Sequence, residues 1–98
     1  MLHIVNKSPL TGNTLHSCLN TATGGDILLI EDAVYAATRG NAAEAELLAA
    51  MGKFSVHVLQ PDLDARGMGD RLIEGITPVD YAGFVDLAAS NKSCQSWL

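Results

Sequence analysis

The stretch Ile27-Leu28-Leu29-Ile30-Glu31-Asp32 decides the fold of this chain. Its first four residues are apolar without alternation, which is typical of a short strand covered on both faces, as in parallel sheets. The two acidic residues close this strand and open a short alanine-rich helical segment that we expect to reach Thr38. Strand-like and helix-like segments alternate on both sides of this stretch, and that alternation is the pattern of an α/β layer fold.

Three other segments are predicted to be strands. Each is short, and each is apolar or rich in β-branched residues: Leu2–Val5, Phe54–Leu59 and Ile76–Val79. In the last of these, Pro78 favours a strand end or the edge of the sheet. We expect one small α/β domain over residues 1–98, with a mostly parallel sheet of four to five strands and helices on both faces. Residues 90–98 are interpreted as a polar tail that ends on Trp97 and Leu98.

Helix signals lie between the predicted strands. Asn13 can cap a helix that begins at Thr14. The apolar positions of that helix form a single stripe at helical spacing: Leu15, Cys18, Leu19 and Ala22. Two further helices are predicted after the capping residues Asn41 and Asp80, and one helical turn over 61–66. Ligand sites in such sheets lie at the carboxyl ends of strands. Those ends are Asn6-Lys7-Ser8, Glu31-Asp32 and Gln60-Pro61-Asp62.

Composition excludes several classes of protein. Hydrophobic residues are 48% of the chain and charged residues 17%, so intrinsic disorder is not expected. The net charge is −5 and no basic run occurs, which argues against direct binding of nucleic acid. The longest apolar runs fall far short of the roughly 20 residues that a membrane span needs. The first residues do not resemble a signal peptide, and we expect a cytoplasmic protein.

The two cysteines, Cys18 and Cys94, are far apart and lack CxxC spacing, so free thiols in a reducing compartment are expected. Cys18 is the candidate site residue, as a thiol that carries sulfur in a persulfide. That chemistry needs an accessible thiolate. The alternative is core packing, because Cys18 shares the apolar stripe and free cysteine is among the most buried residue types. His16 is two residues away and points elsewhere on the helix.

Other residues give no self-sufficient active site. His3, His16 and His57 have no metal-ligand spacing, and we expect neither a metal nor a cofactor. His3 and His57 lie in predicted strands, where a hydrogen-bonded structural role is expected. Glu31-Asp32 could act on a proton, but capping a helix start is the simpler role. Trp97 either packs on its own domain or lies in a subunit interface, where tryptophan is enriched.

Several segments together resemble the DsrH/TusB family of sulfur-relay subunits, and the DsrH type most closely. They run in order along the chain: Met1–Pro9, Leu28–Ala37, Val58–Gly67, Val79–Leu87 and Gln95–Leu98. The resemblance implies a DsrE/F/H-like sheet with helices on both faces. It also places Cys18 where DsrH-type members carry a cysteine.

The resemblance further implies a small subunit of a heterohexameric sulfurtransferase complex, DsrEFH or TusBCD. Its partners would be DsrE/TusD-like and DsrF/TusC-like subunits and, through the complex, a DsrC/TusE-like sulfur carrier. The complexes pass persulfide sulfur between cysteines, either in dissimilatory sulfur oxidation or toward 2-thiouridine in tRNA. The main acceptor cysteine of both complexes belongs to the DsrE or TusD subunit.

Three roles remain open at this point. The chain could be a relay subunit in which Cys18 carries sulfur, or a structural subunit of the same complex without chemistry of its own. It could also be a stand-alone homodimer of the same fold with a binding role. The absence of a base near Cys18 in the sequence favours the structural role, whereas the position of the cysteine within the family pattern favours the relay role.

Overall fold

The computed structural model describes residues 1–97, and Leu98, the last residue of the predicted tail, lies outside them. The sheet has five strands: β1 (Leu2–Val5), β2 (Gly25–Leu29), β3 (Phe54–Leu59), β4 (Thr77–Val79) and β5 (Cys94–Trp97). Their order is β4-β3-β2-β1-β5, and every neighbouring pair is parallel. The predicted α/β class is therefore confirmed, and within residues 1–97 the sheet has five strands, the larger of the two numbers expected, all of them parallel.

Helices connect the strands. The α-helices are α1 (Thr14–Thr21), α2 (Glu44–Ala50), α3 (Gln60–Ala65) and α4 (Tyr81–Ser90), and two 3₁₀ helices span Glu31–Ala37 and Gly69–Arg71. The alanine-rich segment that follows β2 is thus helical, but it forms a 3₁₀ helix, which is wound more tightly than an α-helix. Within residues 1–97, no helix has both the length and the apolar character that crossing a membrane would require.

The prediction of a polar tail after residue 90 was wrong in part, because β5 lies there. Leu2 of β1 aligns with Cys94 of β5, and the Leu2 N–H donates to the Ser93 carbonyl at 3.0 Å. Cys94, Gln95 and Ser96 are exposed. Since β5 is an edge strand held by backbone hydrogen bonds to β1, it needs few apolar residues, and a search for hydrophobic periodicity misses it.

Of the three predicted capping residues, Asn13, Asn41 and Asp80, only Asp80 caps its helix. Asp80 accepts a hydrogen bond from the Gly83 N–H at 2.8 Å at the start of α4. Asn41 accepts from the Ala43 N–H at 2.6 Å, and Glu44 accepts from the Gly40 N–H at 2.7 Å. These contacts fix the turn before α2, but the helix begins at Glu44 and its N-cap is Ala43, so Asn41 does not cap it. α1 begins at Thr14 as predicted, but without a side-chain cap from Asn13.

The two faces of the sheet are covered unequally. The main buried cluster includes Val5, Leu29 and Val58, which align across three strands, and it includes buried residues of α1, α2 and α3. We call this side the core face. The opposite side, which carries Leu2, Asp26, Leu28 and His57, is the α4 face. Asn91 follows α4 and donates to Asp26 at 3.0 Å, which fixes α4 on this side. Helices thus lie on both faces, as predicted.

Candidate functional site

Cys18 lies on α1 and points into the core. Its side chain is fully buried, with 0% exposure, in the same cluster as Leu15, Leu19 and Val5. The first helix places it there because the apolar stripe predicted from the sequence is the side of α1 that packs on the core face. The surroundings of Cys18 are therefore those expected for a cysteine that packs in the core. A role for Cys18 as a sulfur-carrying thiol stays a prediction.

Burial changes the chemistry of this thiol. Desolvation raises the pKa of Cys18 to about 11, because the apolar surroundings disfavour the charged thiolate. At pH 7 the neutral thiol is therefore by far the predominant form. The thiolate is the species that attacks a persulfide. In this conformation Cys18 is thus both covered and predominantly protonated.

The nearest histidine in sequence faces away from Cys18. His16 is exposed, and its Nδ1 lies 2.5 Å from a carboxylate oxygen of Glu46 on α2. The amide of Asn20 donates to His16 Nε2 at 2.8 Å. Both ring nitrogens are thereby engaged, one in joining α1 to α2 and the other in a contact within α1. Within residues 1–97, no hydrogen bond links a base to the Cys18 thiol.

The second cysteine, Cys94, lies on the other side of the sheet. It is exposed on β5 and aligns with Leu2, which faces the α4 side. Val5, three residues further along β1, faces the core cluster that holds Cys18. Because successive strand residues alternate between faces, the sheet separates the two thiols. Both are free, as predicted, and in this conformation neither can reach the other.

The carboxyl edge of the sheet carries a polar cluster, where the sequence predicted a ligand site. Glu31 adopts a left-handed conformation (φ 50°), and its N–H donates to the Asp62 carboxylate at 2.7 Å. The Arg66 guanidinium donates to Asp32 at 2.9 and 3.1 Å and to the Asp62 carbonyl at 3.0 Å. These contacts tie the end of β2 to α3. The Asp32 and Asp62 carboxylates and the Arg66 guanidinium are thus engaged in holding two connections together.

Asn6 follows β1 at the same edge, and its Oδ1 atom is buried without a hydrogen-bond partner. In the sheet, β2 lies on one side of β1 and β5 lies on the other side. Such a reversal of strand order is where parallel sheets commonly bind ligands. An unpaired buried acceptor at this position is chemically suited to a group that donates a hydrogen bond.

The buried His3 and the partly buried Trp97 form a hydrogen-bonded pair on the core face. His3 is 5% exposed, and the Trp97 indole Nε1 donates to His3 Nδ1 at 3.2 Å. His3 Nε2 lies 3.3 Å from the Gly24 carbonyl, which accepts a hydrogen bond. The pair borders a hollow of about 390 Å³ lined also by Met1 and Gln95. The predicted structural role of His3 and the packing of Trp97 on its own chain are both observed.

His57 belongs to a network that the sequence analysis missed. On the α4 face its Nε2 lies 3.2 Å from Asp26, and Asn91 donates to the other carboxylate oxygen at 3.0 Å. Burial alone would raise the pKa of the Asp26 carboxyl, but the hydrogen bonds from Asn91 and His57 hold it below its ordinary value. Asp26 and Asn91 are 65 positions apart, so no local pattern signals their contact.

Residues 1–97 contain no group of three or more His, Cys, Asp or Glu side chains arranged to hold a metal ion. Another surface hollow, of about 410 Å³, is lined by Arg39, Gly40, Asp70 and Arg71. Neither this hollow nor that beside His3 is lined by either cysteine. The nucleophilic and basic groups of the described residues thus include two separated thiols, Cys18 and Cys94, and three histidines that form hydrogen bonds.

The family model described as DsrH like protein matches residues 7–94. The chain belongs to the DsrH/TusB family. Its membership confirms the resemblance carried by the segments quoted above, and it supports a general role in sulfur relay. Among curated members, the TusB protein of Serratia proteamaculans is 36% identical over 97 residues, which cover 99% of this chain and 100% of that protein. A TusB protein of Escherichia coli is 35% identical with the same coverage.

Solved structures support the fold of this DsrH/TusB chain. The ychN protein of E. coli superposes with a TM-score of 0.79 at 19% identity, and 97% of each chain is covered. A protein of unknown function from Methanobacterium thermoautotrophicum gives a TM-score of 0.75 at 17% identity, with 97% of this chain and 95% of that chain covered. At such low identity the likeness concerns the fold alone.

Proposed function

We propose that this chain is a subunit of a heterohexameric sulfur-relay complex, in which it assembles with DsrE/TusD-like and DsrF/TusC-like subunits. The observation that carries the proposal is the match to the DsrH/TusB family, over residues 7–94 by the family model and over 99% of the chain by curated relatives. The complex passes persulfide sulfur toward a DsrC/TusE-like carrier. Two free thiols, Cys18 and Cys94, fit a complex that operates in a reducing compartment such as the cytoplasm.

Within the complex, this subunit positions its partners and the accepting thiol belongs to another subunit. In sulfur transfer a thiolate attacks the outer sulfur of a persulfide, the S–S bond breaks, and the donor leaves as a thiolate, with no net oxidation. The attacking sulfur must be accessible and ionised. Burial of Cys18 and the rise of its pKa to about 11 count against that role in this conformation.

The competing role, in which Cys18 itself carries sulfur, stays a prediction from the family pattern. It requires α1 to move so that the thiol leaves the core and meets a base supplied by a partner. The structure of the isolated chain offers His16 on the same helix, but that ring is engaged with Glu46 and Asn20.

Two processes can use such a complex. The curated relatives carry the name TusB, which favours thiolation of tRNA to 2-thiouridine, whereas the family model carries the name DsrH, which favours sulfur oxidation. Deleting the gene and measuring 2-thiouridine in tRNA by mass spectrometry separates them. Loss of the modified nucleoside supports the tRNA process, and an unchanged level supports sulfur oxidation.

The decisive experiment is intact mass of the assembled complex after exposure to a persulfide donor. We expect a partner subunit, and not this chain, to gain the mass of a sulfur atom. Cys18→Ser and Cys94→Ser complexes serve as controls and should load their partner subunit as the wild type does. If this chain gains sulfur and Cys18→Ser alone abolishes the gain, Cys18 is a relay thiol and the positioning role is wrong.

A further inference from the structure

Helix α4 is apolar around more of its circumference than contact with the sheet explains. Asp86 is its only charged residue, and Ser90 at its end is the only other residue with a short polar side chain. Yet none of its ten residues is buried. A helix that is apolar on most sides is normally covered on most sides. The single α4 face of the sheet covers only the side that carries the half-buried Phe84 and Leu87.

The uncovered apolar residues form one continuous surface. Tyr81 is 61% exposed and Val85 is 66% exposed. Helical spacing places Ala89 on the same line, at i+8 from Tyr81, with Ala82 beside it, and both alanines are exposed. We call Tyr81, Ala82, Val85 and Ala89 the outer stripe. It combines one aromatic and one branched side chain with two small residues that allow close approach of another backbone.

The charged side chains on α4 and in the segment that leads to it are negative, and the nearest basic residue that follows is Lys92, two positions after the helix ends. Between Arg71 and Lys92 the chain carries Glu74, Asp80 and Asp86 and no basic side chain. All three are exposed, and none forms an ion pair among the described residues. Asp80 and Asp86 lie at the start and in the middle of α4, next to the stripe. The outer stripe is therefore an apolar surface with an acidic margin.

We propose that the outer stripe binds a neighbouring subunit of the relay complex, one whose surface presents apolar side chains bordered by lysines or arginines. The inference rests on the proposed function. Opposite charges at the margin of an interface steer association and exclude wrong partners. A second copy of this chain does not meet the requirement, because each copy has a net charge of −5 and would bring an acidic margin against an acidic margin.

The test uses this chain expressed together with the DsrE/TusD-like and DsrF/TusC-like subunits of the same organism. Val85→Glu places a charge in the middle of the outer stripe, and Ala82→Glu repeats the change at a second exposed position. The matched control is Leu48→Glu, because Leu48 is 47% exposed on α2, which packs on the core face. Binding is measured with purified subunits, and the melting temperature of each isolated variant reports whether it folds.

We expect Val85→Glu and Ala82→Glu to weaken assembly at least tenfold, Leu48→Glu to leave it unchanged, and salt to weaken assembly of the wild type. If the wild type assembles and both stripe variants assemble equally well, the inference is wrong while the proposed function stands. If the isolated wild type dimerises and Val85→Glu disperses the dimer, a second copy covers the stripe and the inference is also wrong. If the wild type binds neither subunit, the proposed function fails, and the inference fails with it.

Discussion

The indole of Trp97 donates a hydrogen bond to Nδ1 of His3, across 94 positions of sequence, at 3.2 Å. Because an indole nitrogen can only donate, Nδ1 of His3 must be an acceptor, and the ring proton resides on Nε2, which faces the Gly24 carbonyl. One hydrogen bond thus fixes the tautomer of a buried histidine. It also fastens β5 to the strand at the start of the chain.

Trp97→Phe is expected to destabilise the chain by about 1–3 kcal/mol, because it leaves the buried Nδ1 of His3 without a donor. Urea unfolding followed by far-UV circular dichroism measures the loss. Tyr81→Phe removes a polar group from an exposed aromatic ring and should change stability by less than about 0.5 kcal/mol. Equal stability of Trp97→Phe and wild type would show that the hydrogen bond contributes nothing.

The two thiols should differ sharply in reactivity. In the native isolated chain, iodoacetamide is expected to modify Cys94, which is exposed, and to leave Cys18 unmodified. Low accessibility and a pKa raised to about 11 both slow the reaction of Cys18. Intact mass after timed labelling gives the rates, with Cys94→Ser isolating Cys18. If Cys18 in the native Cys94→Ser chain is labelled as fast as in the same chain unfolded in urea, Cys18 is not buried.

At Cys18, a polar substitution should lower the free energy of unfolding more than an apolar one. Cys18→Ser introduces a hydroxyl into an apolar cluster. Because a buried hydroxyl without a hydrogen-bond partner is destabilising, we expect the free energy of unfolding to fall by about 1–3 kcal/mol. Cys18→Ala removes one sulfur atom and should cost about 1 kcal/mol. Urea midpoints of the two variants give the comparison. A Cys18→Ser chain as stable as Cys18→Ala would indicate that the side chain reaches water or a polar group.

Asp26 should make stability depend on pH in the acid range. Its folded-state pKa is lowered, so the folded chain favours the carboxylate, and the stabilisation is complete above the unfolded value of about 4 and declines as pH falls through the folded value. Asp26→Asn is expected to lose about 1.5–3 kcal/mol at pH 7, the value typical of hydrogen bonds to a charged group.

Unfolding of the wild type and Asp26→Asn between pH 7 and pH 3 measures this dependence. The difference between the two should shrink as pH falls below about 4. Asp86→Asn, at an exposed position of α4, is the matched control and should track the wild type. If the difference in free energy of unfolding between the wild type and Asp26→Asn stays constant over this pH range, the charge of the Asp26 carboxylate does not contribute to the stability of the network.

Much of the fold follows from local sequence patterns. β1 and β3 have the predicted bounds, since their apolar residues are contiguous or alternate with polar ones. The burial of Cys18 also follows from its place in an apolar stripe. β5 could not be found in this way, because the strand is stabilised by its partner β1 and not by its own composition.

The candidate site was less predictable, because its contacts join distant parts of the chain. Asp26 receives hydrogen bonds from His57, 31 positions away, and from Asn91, 65 positions away. The carboxyl edge was predicted as a location, but the arrangement of Glu31 against Asp62 depends on a left-handed residue that favours glycine and is occupied here by glutamate. No spacing rule anticipates such a conformation.

The position of β5 next to β1 has a consequence for biosynthesis. β1 leaves the ribosome before the other four strands, but β5, its second neighbour in the sheet, leaves the ribosome after them. Translation proceeds at roughly 5–20 residues per second, so several seconds pass between the synthesis of β1 and that of β5. During that time one edge of β1 is unpaired. An open strand edge invites pairing with other chains. Nascent copies should therefore be most prone to aggregate just before translation reaches residue 94, and truncation before β5 should prolong that state.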